Sequence, residues 1–318
     1  MVEFTQKMSI IQKVLDYAQA EGKNTKGNKK PLITDCVLNV SENELEILAS
    51  EADDAVFMHI TVPLKEGEEG EIPIELKDAI VSISRFKDED VEIKFDEKHL
   101  QYRRVMKNTK RLQIKRPTPA IEDIKSKLEK FPFKFDEKRN CWITKIDGKE
   151  VLYDTYIKID ADEFKEVIED GEQVQHRSFP FSVTEDAINV IVEDTDTGAQ
   201  NDRELSAIKI QTKEPIASLF SKGFGNVFGQ LSGEIEIWMA NNEAMIIRKK
   251  DETITVIYVV AMVELIEEEP EKEATENQPE TTEEPEMETI EKETEEKEVS
   301  EDYQEPEPAP KKIVKRNK

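Results

Sequence analysis

Apolar and polar residues alternate along short paired segments of the chain, a pattern typical of β-hairpins with one buried face. Residues 39–48 read Asn-Val-Ser-Glu-Asn-Glu-Leu-Glu-Ile-Leu, two alternating strands around a polar turn at Ser41 to Glu44. Residues 182–191, Ser-Val-Thr-Glu-Asp-Ala-Ile-Asn-Val-Ile, repeat the arrangement 143 positions later. One match of this kind arises easily by chance, so a second match decides whether the chain repeats itself.

The second match is another hairpin at almost the same distance. Residues 91–95, Val-Glu-Ile-Lys-Phe, precede a turn and a second strand at 100–104. The same arrangement recurs at 235–239 and 244–248, 144 positions later. Two hairpins in register predict a duplicated domain.

Helix-forming segments accompany the hairpins in both halves. Their apolar residues fall at helical spacing at Met8, Ile11, Val14 and Leu15, at Phe164, Val167 and Ile168, and at Ile80 and Ile83, which match Phe224 and Val227. Each half therefore alternates helices with groups of strands. The predicted fold class is α+β, with two domains that each contain two βαβββ-like units.

Composition divides the chain into four parts. We predict an N-terminal domain at 1–116, a connector at 117–151, a C-terminal domain at 152–266 and a tail at 267–318. The connector opens with Pro-Thr-Pro, which interrupts regular structure. It is expected to end in an extra hairpin that turns at Asp147-Gly148. The first half also contains a basic loop, residues 22–30, that the second half lacks.

Charge is distributed unevenly over these parts. The chain carries 71 acidic and 45 basic residues, a formal net charge of −26 that would repel a phosphate backbone. The tail alone has 20 acidic and 8 basic residues and only eight apolar ones, so we expect it to be disordered. The remaining 266 residues have a net charge of −14 and an ordinary globular composition.

The cysteines and the apolar segments indicate the cellular compartment of the protein. Cys36 and Cys141 are far apart and form no CxxC pair, so the sequence predicts neither a disulfide framework nor a zinc site. No signal-peptide core begins the chain, and the longest apolar stretch is shorter than the roughly 18 residues of a membrane span. We therefore expect a soluble, intracellular protein in a reducing compartment.

The order of the elements resembles the DNA sliding clamps of the proliferating cell nuclear antigen (PCNA) family, in particular archaeal-type or viral members. Residues 160–170, Asp-Ala-Asp-Glu-Phe-Lys-Glu-Val-Ile-Glu-Asp, resemble the first helix of the second clamp domain. Residues 257–264, Ile-Tyr-Val-Val-Ala-Met-Val-Glu, lie where the family ends its fold, and an acidic tail commonly follows there. The resemblance covers about residues 5 to 265 and rests on order and repeat.

This resemblance implies a homotrimeric ring with helices around a central hole and sheets outside. Such a ring is a processivity factor without enzymatic activity, and it has no cofactor and no metal. It encircles double-stranded DNA independently of sequence and tethers DNA polymerase, the clamp loader and other replication and repair enzymes. The implied localisation is cytoplasmic and nucleoid-associated, or nuclear in a eukaryote, without a membrane partner.

Weak phosphate attraction by lysine and arginine suits sliding, because sequence-specific base contacts would stop it. The candidate DNA-facing cations lie on or near the four predicted helices: Lys7, Lys13, Lys77, Arg85, Lys87, Lys165, Lys213 and Lys222. The third helix fits worst, since acidic residues surround its single lysine.

The family's partner-peptide pocket lies between the connector, the first half and the last strand. The corresponding residues here are Val56, Ile121, Ile124, Ala244, Val260 and Ala261. Ala261-Met262 replaces the family's usual proline and basic residue, which puts the usual partner affinity in question.

Subunit contacts in the family join edge strands of neighbouring chains. The corresponding segments are 106–114 and 204–211, which contain the candidate interface residues Lys107, Lys110, Arg111, Leu112, Glu204 and Ile208. Opposite charges in the two segments would orient the pairing, and one sequence leaves a heterotrimer open.

Other motifs carry no catalytic or metal assignment. The Asp-Thr-Asp-Thr-Gly run at 194–198 lacks the glycine and glutamate positions of a calcium loop. The glycines at 223–229 match no nucleotide-binding loop. Two alternatives to the processivity factor remain: a specialised checkpoint-type or viral clamp relative, and an acidic scaffold or DNA mimic that does not encircle DNA.

Overall fold

The structure, a computed structural model, describes most of the first 263 residues. The described residues are 1–23, 29–31, 33–51, 56–86, 88–96, 98–105, 113–117, 133–146, 148–173, 178–193, 198, 200–221 and 223–263. They belong to one compact unit, Met1–Ile266. The tail predicted at 267–318 and the first part of the connector lie outside the described residues.

Four helices occur among the described residues: α1 (Met8–Gln19), α2 (Leu76–Ile83), α3 (Glu163–Gln173) and α4 (Gly223–Gln230). The strands of the first half are β1 (Val2–Lys7), β2 (Glu21–Lys23), β3 (Lys29–Pro31), β4 (Asp35–Val40), β5 (Glu44–Ser50), β6 (Val56–Pro63), β7 (Gly70–Glu75), β8 (Asp90–Phe95), β9 (His99–Arg104) and β10 (Gln113–Pro117). The later strands are β11 (Lys134–Asp136), β12 (Cys141–Ile146), β13 (Lys149–Tyr153), β14 (Thr155–Asp160), β15 (Ser178–Val183), β16 (Ile188–Glu193), β17 (Gln200–Leu205), β18 (Ala207–Gln211), β19 (Ile216–Ser221), β20 (Glu234–Met239), β21 (Met245–Lys250) and β22 (Thr255–Val260). The fold is thus mostly β-sheet with few helices.

The hairpins and helices predicted from the hydrophobic pattern are present. β4 pairs with β5 and β15 with β16, in each case across the polar turn that the sequence indicated. β8 pairs with β9 and β20 with β21. The predicted helical segments form α1, α2, α3 and α4. The Asp160 carboxylate accepts a hydrogen bond from the backbone of Asp162 just before α3, at 3.0 Å.

A continuous nine-stranded antiparallel sheet joins the two halves of the chain. Its strand order is β18-β14-β20-β21-β22-β6-β5-β4-β7. At its centre β22 pairs with β6, and Val260 lies opposite Val56 with both side chains fully buried. Two four-stranded sheets are ordered β1-β8-β9-β10 and β17-β16-β15-β19, and β2 and β3 form a two-stranded sheet.

The helices bury one apolar face against the sheets. In α1 the buried residues include Met8, Ile11, Val14 and Leu15, spaced as one helical stripe. In the second half a cluster of phenylalanines fills the same layer. Phe224 of α4 lies at its centre, 4.6 Å from the ring of Phe179 and 5.6 Å from that of Phe164. One core cluster extends from Val2 to Val260 through both halves.

The connector ends in a three-stranded sheet, ordered β11-β12-β13. Its second hairpin pairs Ile146 with Lys149, on either side of the position where the sequence predicted a turn. Gly148 adopts a φ of 78°, a left-handed conformation that glycine adopts without steric strain. The sequence predicted a hairpin here, and the structure adds a further strand, β11, which is only three residues long.

The predicted domain boundaries stay predictions, because the compact unit spans both proposed domains and the connector. Among the described residues, no helix is both long and apolar enough to cross a membrane.

The phenylalanine cluster gives a first prediction. Phe224→Ala removes a fully buried ring with aromatic neighbours on several sides, so we expect a loss of about 3–5 kcal/mol in unfolding free energy. Urea denaturation followed by tryptophan fluorescence measures it. Val81→Ala is the control, because this α2 side chain is 49% exposed. Equal stability of the two variants would contradict the central role of Phe224.

Candidate functional site: helices, covered sheet face and open edges

The predicted DNA-facing cations occupy different surroundings. Lys7 ends β1, Lys77 is the second residue of α2 and Arg85 follows α2, and all three are exposed. Lys13 lies on α1 and Lys165 on α3. Lys87 and Lys222 lie outside the described residues. The structure therefore brings part of the predicted set onto or beside the helices.

Lys13 is half-exposed and already paired. Its Nζ donates to Asp251 in the β21–β22 turn at 2.5 Å, so this pair connects α1 to the opposite half of the chain. The hydrogen bond raises the pKa of Lys13 above its ordinary value and keeps the ammonium charged. Tyr17 also donates to Asp251, at 3.4 Å.

Acidic residues dominate α3. Lys165 pairs with Asp162 in the preceding turn, and Arg203 of β17 approaches the helix from the sheet. Its Nε donates to Asp170 at 2.7 Å, and its guanidinium lies 3.4 Å from Glu166. Asn201 donates to the same Asp170 oxygen at 2.8 Å. Asp170 is thus held inside the chain, whereas the Glu166 side chain is 76% exposed.

Lys213 does not lie with the helices. It pairs with Asp154 at 2.6 Å and lines a surface groove with Leu152 and Tyr156, on the sheet face opposite the helices.

The four helices together carry more negative than positive charge. Their sequences contain three lysines and seven carboxylates, five of them in α3, and α4 has no charged residue. The helix surface by itself therefore gives no net attraction for phosphate.

The predicted pocket residues divide into three groups. Val56 and Val260 are fully buried at the β22–β6 pairing. Ala244 is partly buried and packs against an aromatic cluster, and Ala261 is also partly buried. Ile121 and Ile124 lie outside the described residues. The described members thus surround the junction of the two halves.

The three-stranded connector sheet covers part of the nine-stranded sheet, on the face opposite the helices. Trp238 is fully buried there, between Phe135 at 5.6 Å, Tyr156 at 5.3 Å and Trp142 at 6.2 Å. Its indole donates to the Asn140 carbonyl at 2.9 Å. Asn140 has a φ of 49°, a left-handed conformation that asparagine tolerates in turns.

Arg248 lies within this aromatic cluster. Its guanidinium stacks 4.5 Å from the Trp238 ring and 4.7 Å from the Phe135 ring, and it donates to Glu236 at 2.9 Å. Burial favours the neutral form of Glu236, but the hydrogen bond and charge of Arg248 outweigh it and hold the pKa of Glu236 below its usual range. Burial and the nearby Glu236 carboxylate raise the pKa of Tyr156 to about 12.

Each four-stranded sheet has two edge strands, β1 and β10 in one and β17 and β19 in the other. Residues of β1 and β19 also form isolated bridges, to Gly67 and to Met262, whereas β10 and β17 each pair with a single strand among the described residues. Of the predicted interface residues, Glu204 is exposed on β17, and Ile208 lies on β18, which pairs with β14. Lys107, Lys110, Arg111 and Leu112 lie outside the described residues.

Sequence reasoning missed the Trp238 cluster and the contacts of Arg203. Both join residues far apart in sequence, and no local spacing marks such contacts. The described residues contain no group of three or more histidine, cysteine, aspartate or glutamate side chains arranged for a metal ion.

Comparison with known proteins relates this architecture to one solved fold. No protein-family model matches the chain, and no curated protein matches it in sequence. The crystal structure of proliferating cellular nuclear antigen from Entamoeba histolytica is similar with a TM-score of 0.61, over 83% of this chain and 99% of that one. The two sequences are 11% identical. The chain therefore has a sliding-clamp fold, shared with proliferating cellular nuclear antigen.

The Glu236–Arg248 pair gives a second prediction. Because the folded-state pKa of Glu236 is depressed, its ionised form stabilises the fold above the ordinary value of 4.5, and this stabilisation is lost as pH falls through the folded pKa. The stability advantage of the wild type over Glu236→Gln should therefore shrink below pH 4.5. Urea unfolding at a series of pH values measures it.

Glu234→Gln is the matched control, since Glu234 is 61% exposed and its pair with Lys158 is screened by solvent. A difference between wild type and Glu236→Gln that stays constant from neutral to acidic pH would contradict the assignment.

Proposed function

We propose that the protein is a sliding clamp: a ring of three chains that encircles double-stranded DNA and confers processivity on a DNA polymerase. The observation that carries the proposal is that β10 and β17 are open edges. Within the chain, β22 and β6, which we infer to be the equivalents of β10 and β17, already pair with each other. The shared fold supports it.

We infer that the two halves are a duplication, each with two βαβββ units. Buried positions of α1 and the turn before α3 correspond at 153 positions: Met8, Ile11, Val14 and Ala18 match Ala161, Phe164, Val167 and Gly171. An ion pair is also repeated across equivalent strands. Glu92 pairs with Arg103 between β8 and β9, and Glu236 pairs with Arg248 between β20 and β21.

The duplication supports ring closure by strand pairing. In the internal junction β22 pairs with β6. From the strand pairings and the buried positions, β22 corresponds to β10 with an offset of 144 residues, and β6 corresponds to β17 with an offset of 143. By analogy with the internal pair, β10 of one chain would pair with β17 of the next. The register of the internal pair, Tyr258 opposite Met58, then predicts Ile114 opposite Asn201 of the neighbouring chain.

For DNA contact we propose the exposed cations Lys7, Lys77, Arg85 and Lys165 together with Lys13, and the predicted cations Lys87 and Lys222. The basic hairpin formed by β2 and β3 adds lysines that the second half lacks. Few phosphate contacts make a weak, salt-sensitive attraction that is compatible with sliding.

For partner docking we propose a pocket formed by Ala244, Ala261 and the connector residues Ile121 and Ile124, over the buried pair Val56 and Val260. Polymerase, the clamp loader and other clamp-binding enzymes are the proposed partners. The proposed role is non-enzymatic, without cofactor or membrane partner, in the cytoplasm at the nucleoid or in a nucleus.

The ring gives a third prediction. At micromolar concentration the full chain should have a solution mass three times the 36.6 kDa of one chain. With its own loader and polymerase it should stimulate extension on primed circular DNA more than on linear DNA, because a ring slides off free ends. Light scattering and primer extension measure these two properties.

A stable monomer, or equal stimulation on circular and linear templates, would overturn the proposal. A linear template with both ends blocked is the control, and it should restore stimulation to the level of the circle.

A second candidate is an acidic scaffold or DNA mimic that does not encircle DNA. The excess of carboxylates on the helices favours it. This candidate predicts equal primer extension on circular and linear templates.

A third candidate is a specialised checkpoint-type or viral clamp. The connector sheet that covers part of the nine-stranded sheet favours it over a general clamp.

A further inference from the structure

We propose that β18, an edge strand of the nine-stranded sheet, binds an extended acidic segment of a partner protein, which adds to the sheet as a tenth strand. The segment that fits this edge alternates carboxylate and apolar side chains. The β18 edge is separate from β10 and β17, and a single chain is enough to form it.

Among the described residues, β18 pairs with β14 on one side and with no strand on the other. Opposite Lys158 and Ile159 stand Lys209 and Ala207, so Ile208 is an extra residue that forms a β-bulge. The Ile208 side chain is 55% exposed. The unpaired N–H and C=O groups of such an edge are a template for another extended segment.

The two faces of β18 differ in chemistry. Ala207 and Ile210 pack against the core on the helix side. Lys209 lies on the opposite face, where its Nζ is 5.7 Å from the centre of the Tyr156 ring. A strand added to β18 would alternate in the same way, so one set of its side chains would lie beside the apolar face and the other beside Lys209.

The face that carries Lys209 is basic. Lys158 lies opposite Lys209 in the β14–β18 pair, and the Lys158 charge is balanced by Glu234 at 2.6 Å. Within the described part of the chain, no carboxylate forms an ion pair with Lys209. Because like charges opposite each other in a sheet are destabilising, a partner carboxylate beside Lys209 would relieve this repulsion.

A groove of about 690 Å³ continues from the end of β18. Its charged lining residues are two exposed cations, Arg139 and Lys213, and one carboxylate, Asp154, which pairs with Lys213. Leu152 adds an exposed apolar side chain. The groove therefore has a positive net charge, although the first 266 residues together carry −14. An acidic segment that extends beyond β18 would be attracted to it.

The other edge of the same sheet does not suit an acidic strand. This edge, β7, contains Pro73, which has no N–H to donate, and it carries Glu71 and Glu75. A second copy of β18 is also disfavoured as the partner, because it would bring lysines beside lysines. Charge complementarity therefore selects an acidic strand, and selects β18 as its site.

A synthetic peptide that alternates glutamate and valine is the probe. It should bind the full chain more weakly as salt is raised, and it should slow hydrogen exchange of the β18 amides. A peptide that alternates lysine and valine should do neither. Lys209→Glu should weaken binding about tenfold, because it turns an attractive charge pair into a repulsive one. Fluorescence anisotropy of the labelled peptide measures binding, and mass spectrometry measures hydrogen exchange.

Lys145→Glu is the matched control, because it makes the same charge change at an exposed position of β12 and should leave peptide binding unchanged. Equal binding by the two variants, or binding without protection of β18, would overturn the proposal. Protection of these amides in the free chain at low concentration would assign the edge to another segment of the same chain. Protection that appears only at high concentration would assign it to a second copy, and either result overturns the acidic partner.

Discussion

Antiparallel hydrogen bonds between β22 and β6 connect the last strand of the fold to one near its beginning, and the nine-stranded sheet depends on them. Because Val56 and Val260 lie opposite each other without exposure to solvent, the two halves cannot separate without exposing the core. Pairing strands so distant in sequence costs loop-closure entropy, which the continuous core must offset. The same geometry leaves β10 and β17 as open edges.

The connector sheet covers part of the nine-stranded sheet, on the face opposite the helices. Trp238, Trp142 and Phe135 fill the space above β14, β20 and β21, and the Arg248–Glu236 pair is embedded among them. Large aromatic rings bury enough apolar area to hold a small sheet that has no core of its own. Ala244 and Ala261, both partly buried, lie at the border of this covered area.

Local pattern in the sequence was sufficient for the hairpins and helices. Alternation gave β4–β5 and β15–β16 because one face of each pair is buried, and helical spacing gave α1 and α3 because each packs a single apolar stripe. The sliding-clamp fold followed from their order. The three-residue strand β11 is too short to show a periodic pattern. The hydrogen bond between Arg203 and Asp170 joins two elements that are separated in sequence, so their proximity is visible only in the folded chain.

The acidity of α3 is difficult to reconcile with a helix that only faces DNA. Five carboxylates against one lysine would repel phosphate wherever they were exposed to it. Arg203 and Asn201 neutralise and orient Asp170, which shows that part of this charge is directed at the sheet edge. Glu166 and the other exposed carboxylates of α3 remain, so any attraction of phosphate to the helix surface would depend on the cations of α1, of α2 and of the residues beside them.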